Sequence, residues 1–235
     1  MELQFPMREI QSLYESKPTQ YLSHLLGHEG SGSLLSYLKN NKGYVTDLYA
    51  DDSSKSCTSF SIFTIKMELT TLGLVEQNTK AIIAIVFAYI HLLTTVGPKE
   101  WIYNEAKIVS EMQFRFLSKR NPIDYTSQVS NTMQQQYPPH LYLSGPYTTQ
   151  KWEPTLITEC LQYLVPNNML VLISSPTFDT ATTETTTEDS GPTMEEEKWY
   201  GTKYVSIEHD TQLYEQWNTI KHTEYPELQL PESND

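Results

Sequence analysis

The chain has 235 residues, and 16 Lys and Arg against 29 Asp and Glu leave a formal charge of -13. A chain of this length can bury one sizeable core, and its 38% hydrophobic and 11% aromatic content excludes a wholly disordered protein. The negative balance repels phosphates, and no Lys/Arg stripe interleaves with aromatics, which argues against nucleic acids and anionic membranes as partners.

In chain order, residues 2–6 alternate as a short strand stopped by Pro6. A strand this early needs a sheet partner, so further sequence is expected ahead of it. From Pro18, the spacing of Tyr21, Leu22, Leu25 and Leu26 fits a helix that runs into the glycine-spaced stretch Gly27-His28-Glu29-Gly30-Ser31-Gly32, and a second helix spans 33–39. Residues 44–49 and 59–69 read as strands, the second alternating Phe60, Ile62, Thr64 and Lys66 against Ser61, Phe63, Ile65 and Met67; an antiparallel pair is expected. A helix over 71–95 contains the apolar run from Ala81 to Ile90, well short of the ~20 apolar residues a bilayer requires, and is expected as a buried core helix rather than a membrane span.

Gly97-Pro98 breaks that helix, and another follows over 99–117, where Trp101, Glu105, Ile108, Met112 and Phe116 recur at helical spacing and predict a core-facing stripe. Two more helices are expected over 124–136 and 154–164, then a short buried strand over 169–174. Residues 179–197 hold seven acidic residues and no basic one, with a threonine tract; this cannot offset ordering entropy and reads as a solvated linker. Ordered structure resumes at Trp199, Tyr200 and Tyr204, a helix is expected over 210–219, and 225–235 reads as an extended tail. The order of elements predicts an α+β fold: two layers, a mainly antiparallel sheet with several long helices on one face. Cys57 and Cys160 are too few for a disulfide framework and read as reduced, buried thiols. No Asn-x-Ser/Thr acceptor and no secretory signal pattern occur, which points to a cytoplasmic protein.

The most informative motif is His24-Leu25-Leu26-Gly27-His28-Glu29-Gly30. Two histidines four apart share a helix face, the spacing of helical zinc sites. In the inverted motif H-x-x-E-H, a glutamate just before the second histidine is the general base on a zinc-bound water. Gly27 stands there instead, and Glu29 points elsewhere around the helix, so no hydrolytic centre and no metal site are expected in this chain. Gly30-Ser31-Gly32-Ser33 lacks the strand and spacing of a nucleophile elbow, and the glycines lack the Lys-Ser/Thr of a phosphate loop.

That heptapeptide, with Gly32-Ser33-Leu34-Leu35-Ser36 after it, closely resembles the second domain of the insulysin and nardilysin family of inverted-zincin metalloendopeptidases. Gly97-Pro98-Lys99-Glu100-Trp101, Phe114-Arg115-Phe116, Asp124-Tyr125, Tyr137-Pro138-Pro139 and Lys198-Trp199-Tyr200-Gly201-Thr202-Lys203-Tyr204 follow in the same order. Family members are zinc enzymes of four similar domains closing around a chamber. The resemblance therefore implies a non-catalytic second domain over 1–177, a linker over 178–197 and the start of the inter-half connector over 198–235. The zinc would belong to a catalytic domain outside this chain, supplied ahead of it or by a homologous subunit. The resemblance further implies an exosite for the N-terminal end of peptide substrates, formed by His24, Gly27 and Glu29 in the turn and Leu48, Tyr49 and Ala50 on the strand. Elementary chemistry agrees: glycines admit a peptide close to the backbone, Glu29 can pair with an ammonium, and a free strand edge accepts another strand. Where the family continues this strand into glycines, this chain has Ala50-Asp51-Asp52-Ser53-Ser54-Lys55. The alternative reading is a stand-alone scaffold of the same fold that binds peptides or a protease homologue without hydrolysis.

Overall fold

The alternating stretches near the N-terminus pair into one sheet. In the computed structural model, which describes residues 1–51, 57–176, 194–208 and 210–233, β1 (Glu2–Arg8), β2 (Val45–Asp51), β3 (Phe60–Leu69) and β4 (Leu170–Leu172) lie in the order β2-β3-β1-β4. All three pairings are antiparallel. β1 does not stop at Pro6 but runs through it, opposite Ile62. The reason is local. The Pro6 carbonyl accepts from Asn168 Nδ2 at 2.7 Å, on the side where β4 pairs only with residues 2–4, so the missing N–H falls where the ladder has already ended.

One face of this sheet is apolar by alternation: Leu3, Phe5 and Met7 of β1 and Phe63, Ile65 and Met67 of β3 are all buried. Helices cover it: α1 (Pro18–Leu26), α3 (Glu76–Val96) and α6 (Pro154–Leu161) share one hydrophobic cluster with these strands, and Phe5 meets Phe87 edge-on at 6.3 Å. α3 is long and apolar enough to cross a bilayer by composition, but its residues from Ile82 to Leu93 are largely buried among the other elements, as a core helix requires. It starts at Glu76 rather than 71 because residues 70–75 close a turn: Thr70 N–H donates to the Tyr44 carbonyl at 2.9 Å, and a Cβ on Gly73 would sit 2.0 Å from that same oxygen.

The expected helix over 33–39 is one α turn, α2 (Leu34–Ser36), continued as a π-helical turn Tyr37–Asn41 and capped by Ser33, whose hydroxyl accepts from Ser36 N–H. α4 (Glu100–Arg115) and α5 (Pro122–Met133) follow, the latter begun by Asn121 as cap and Pro122 in its first turn. α7 (Thr211–Thr219) is capped by Asp210, and a 3-10 turn His222–Glu224 succeeds it.

Five expectations need correction. The stripe on α4 does not face the core: Ile108 is 57% and Phe116 71% exposed, while Ile102, Tyr103, Ala106 and Ser110 form the buried face. Helical spacing gives a face but not its partner. β4 is not buried on both sides, since only Val171 points inward and Leu170 and Leu172 are exposed. The tract over 179–197 lies outside the described residues up to 193, yet its end is structured: β5 (Met194–Glu196) pairs antiparallel with β6 (Lys203–Val205). Cys57 is exposed; only Cys160 is buried. The tail also does more than extend, because Leu228 is buried and Tyr225 packs edge-on against Tyr37 at 6.0 Å.

Candidate functional site

α1 ends at Gly27, whose N–H donates to Ser23 O at 2.9 Å, and its direction aims the following turn at β2. A Cβ at Gly27 would lie 2.9 Å from Ser23 O, 3.6 Å from Ala50 N and 3.9 Å from Tyr49 Cα. The fold thus brings together the two halves of the expected site: the turn abuts the backbone of Tyr49 and Ala50. β2 pairs only with β3 and forms one margin of the four-stranded sheet. Its other edge has no strand partner among the described residues.

The side chains divide by environment. Leu48 is buried and anchors the strand in the core, Ala50 is half-buried, and Tyr49 and Glu29 are exposed. His24 is half-buried; burial first, and then the neighbouring His28, hold its imidazole below the usual 6.5, with Glu105 opposing. The two rings stand edge to face with centroids 6.1 Å apart. His28 Nδ1 already accepts from Gly30 N–H at 3.1 Å. On the sheet face that carries Tyr49, Lys66 bridges to Glu2 at 3.4 Å and lies 5.8 Å from the Tyr49 ring. The hydrogen bond to Glu2 and the contact with Tyr49 hold the Lys66 ammonium above the usual lysine range.

A zinc ion does not fit this donor set. One histidine is committed through Nδ1 to a backbone amide, a glycine replaces the carboxylate that would activate water, and no group of three His, Cys, Asp or Glu converges among the described residues.

Two features carried no signal in the sequence. Gln229 N–H donates to Gly32 O at 2.9 Å, and at φ +77 Gly32 leaves only 3.1 Å between its would-be Cβ and Gln229 Cβ. The tail therefore backs the turn, a contact across almost the whole sequence that no local pattern announces. The other is a recess of about 590 Å3 that shares no residue with this site, between α4, α5 and the 142–147 loop, walled by Phe114, Tyr125, Val129 and Tyr147.

A mainly antiparallel sheet with helices packed on one face is a two-layer α+β architecture. The crystal structure of pitrilysin superposes on 99% of the chain, and on 23% of its own, with a TM-score of 0.83 at 20% identity. Residues 1–109 match the family model for the peptidase M16 inactive domain, and residues 114–235 the model for the middle or third domain of peptidase M16. The chain belongs to the peptidase M16 family, on its insulysin and pitrilysin branch. It is 36% identical to the human insulin-degrading enzyme over 88% of this chain and 19% of that one. It is 32% identical to a nardilysin-like protein of Arabidopsis thaliana over 100% of this chain and 22% of the relative. The A-factor-processing enzyme of Saccharomyces cerevisiae is also 32% identical, over 100% and 21%. The chain spans about a fifth of the length of these relatives.

Proposed function

We propose that this chain is a non-catalytic wall of the substrate chamber of an insulysin-like zinc metalloendopeptidase, and that it anchors the N-terminal end of peptides at His24, Gly27 and Glu29 and along Leu48, Tyr49 and Ala50. The observation that carries this reading is the close approach of Gly27 to the Tyr49–Ala50 backbone at the margin of the sheet. A peptide added to β2 would form main-chain hydrogen bonds along the edge and bring its terminal ammonium to the exposed Glu29 carboxylate. The zinc and the scissile chemistry belong to a catalytic domain or homologous subunit, and peptides are the substrates. Residues 1–177 are the chamber domain, 178–197 a linker and 198–235 the start of the connector, all in the cytoplasm.

The exposed apolar stripe on α4 favours a second reading as well, a scaffold that binds peptides or a protease homologue by itself. Titration with a fluorescent peptide, free or acetylated at its N-terminus, tests the anchoring role. The free amine is expected to bind about 2–5-fold more tightly, as befits a solvent-exposed ion pair; equal affinities would remove Glu29 from the site. Chelator-sensitive cleavage by the isolated chain would overturn its non-catalytic assignment.

A further inference from the structure

His91 lies near the end of α3, and His222 opens the 3-10 turn after α7. Their Nδ1 atoms are 2.9 Å apart and the rings stack with centroids at 5.1 Å. Such a contact needs one Nδ1–H donor and one bare acceptor. An uncharged pair satisfies it with a single proton between the two atoms, and so does a singly protonated pair. Two imidazolium rings cannot: N–H then faces N–H, and like charges meet at hydrogen-bond distance.

The surroundings make this contact matter. The segment carrying His222 is held to the body by Trp217, buried and 6.5 Å from the Phe87 ring, by Tyr225 against Tyr37, by the buried Leu228, and by the Gln229 hydrogen bond to Gly32. The titratable and charged groups on the elements packed against α3 are Lys221 and Glu224 at the 3-10 turn, Tyr214 and Glu215 on α7, Glu159 and Cys160 on α6, Tyr21 and His24 on α1, and Glu2 and Arg8 on β1; α2 carries none. Lys221 opposes a second proton on His91, and Glu224 uses one carboxylate oxygen to accept the Lys221 backbone N–H at 3.1 Å. The last three turns of α3 hold no charged side chain besides His91, whose Nδ1 is 3.3 Å from the Thr95 hydroxyl.

We propose that His91 and His222 form a proton-operated latch that docks residues 211–230 onto α3 at neutral pH and releases them when both rings are charged, freeing the Gly32 turn beside the candidate peptide site. Burial, then His222, then Lys221 hold His91 below its ordinary 6.5. The undocked segment therefore binds more protons than the docked one, so docking is fully favoured above 6.5 and weakens as the pH falls toward the lowered value. The latch stands on its own geometry; only its effect on peptide binding rests on the anchoring role proposed above.

Hydrogen exchange of the full chain at the Tyr225, Leu228 and Gln229 amides, corrected for intrinsic rates, reads the latch directly. Protection is expected to fall about tenfold between about pH 7.5 and about pH 5 in the wild type, and to change less than about twofold in His91→Gln and in His222→Gln. Amides of β1 and β3 serve as the internal reference. Wild-type protection that is equal at both pH values, or an undiminished fall in either variant that folds, overturns the latch. Peptide affinity that weakens in step with exchange supports the coupling to the turn, and affinity indifferent to that change overturns the coupling. If no peptide binds even at neutral pH, the anchoring role fails while the exchange data still decide the latch.

Discussion

Two regions that both carry large apolar side chains behave in opposite ways. Around β1, β3 and α3, large side chains such as Phe5, Phe63 and Tyr89 are almost wholly removed from water. Along α4 and α5, Met112, Phe116, Ile123 and Met133 stand largely in solvent, and among the named side chains of α5 only Thr132 is buried. The first region has a partner layer within the chain. The second presents an apolar surface whose cover is not among the described residues, in a chain that spans about a fifth of its relatives. Burial is thus a property of the assembly around a helix, and the same hydrophobic period serves a core or an interface.

The sharpest way to break this comparison is one substitution made twice. Phe63→Ala should cost about 3–5 kcal/mol in urea unfolding, because transfer and cavity costs add at a site with no solvent contact. Gly27→Val comes next. Its Cβ meets Ser23 O at 2.9 Å and its methyls face the β2 backbone, so a loss of about 1–3 kcal/mol is expected, together with loss of peptide binding in the titration above. A variant that binds as the wild type does would show that the turn and the strand do not act as one site.

Phe116→Ala completes the pair. At 71% exposure the change in stability should stay within about 0.5 kcal/mol, while self-association measured by sedimentation falls, since the isolated chain is expected to be poorly soluble through this surface. A sharp, reversible melt of a monodisperse wild-type monomer would count against the exposed face as a liability. The smallest effect expected is that of Glu29→Gln, about 0.2–1 kcal/mol in affinity for a free N-terminus and no change in unfolding; a larger loss would mean that Glu29 is desolvated when the peptide binds.

Local chemistry was legible along most of the chain. Alternation over 60–69 and helical spacing from Pro18 report which side chains share a face, and the helix expected from Asp210 begins there, because these follow from the geometry of a few neighbouring residues; the helix expected from 124 begins two residues earlier, at the Asn121 cap and Pro122. The absence of a zinc base at Gly27 was also readable, since a glycine has no carboxylate in any fold. Which face meets which partner lay beyond it. Spacing alone points the stripe on α4 at the core, and the placement of Gly27 against Ala50, of Gln229 against Gly32 and of His91 against His222 depends on how distant segments pack. Sequence sets the period of a pattern within a few residues; only the tertiary structure, by exchanging chain entropy for contacts between remote segments, decides which surfaces leave water and which histidines meet.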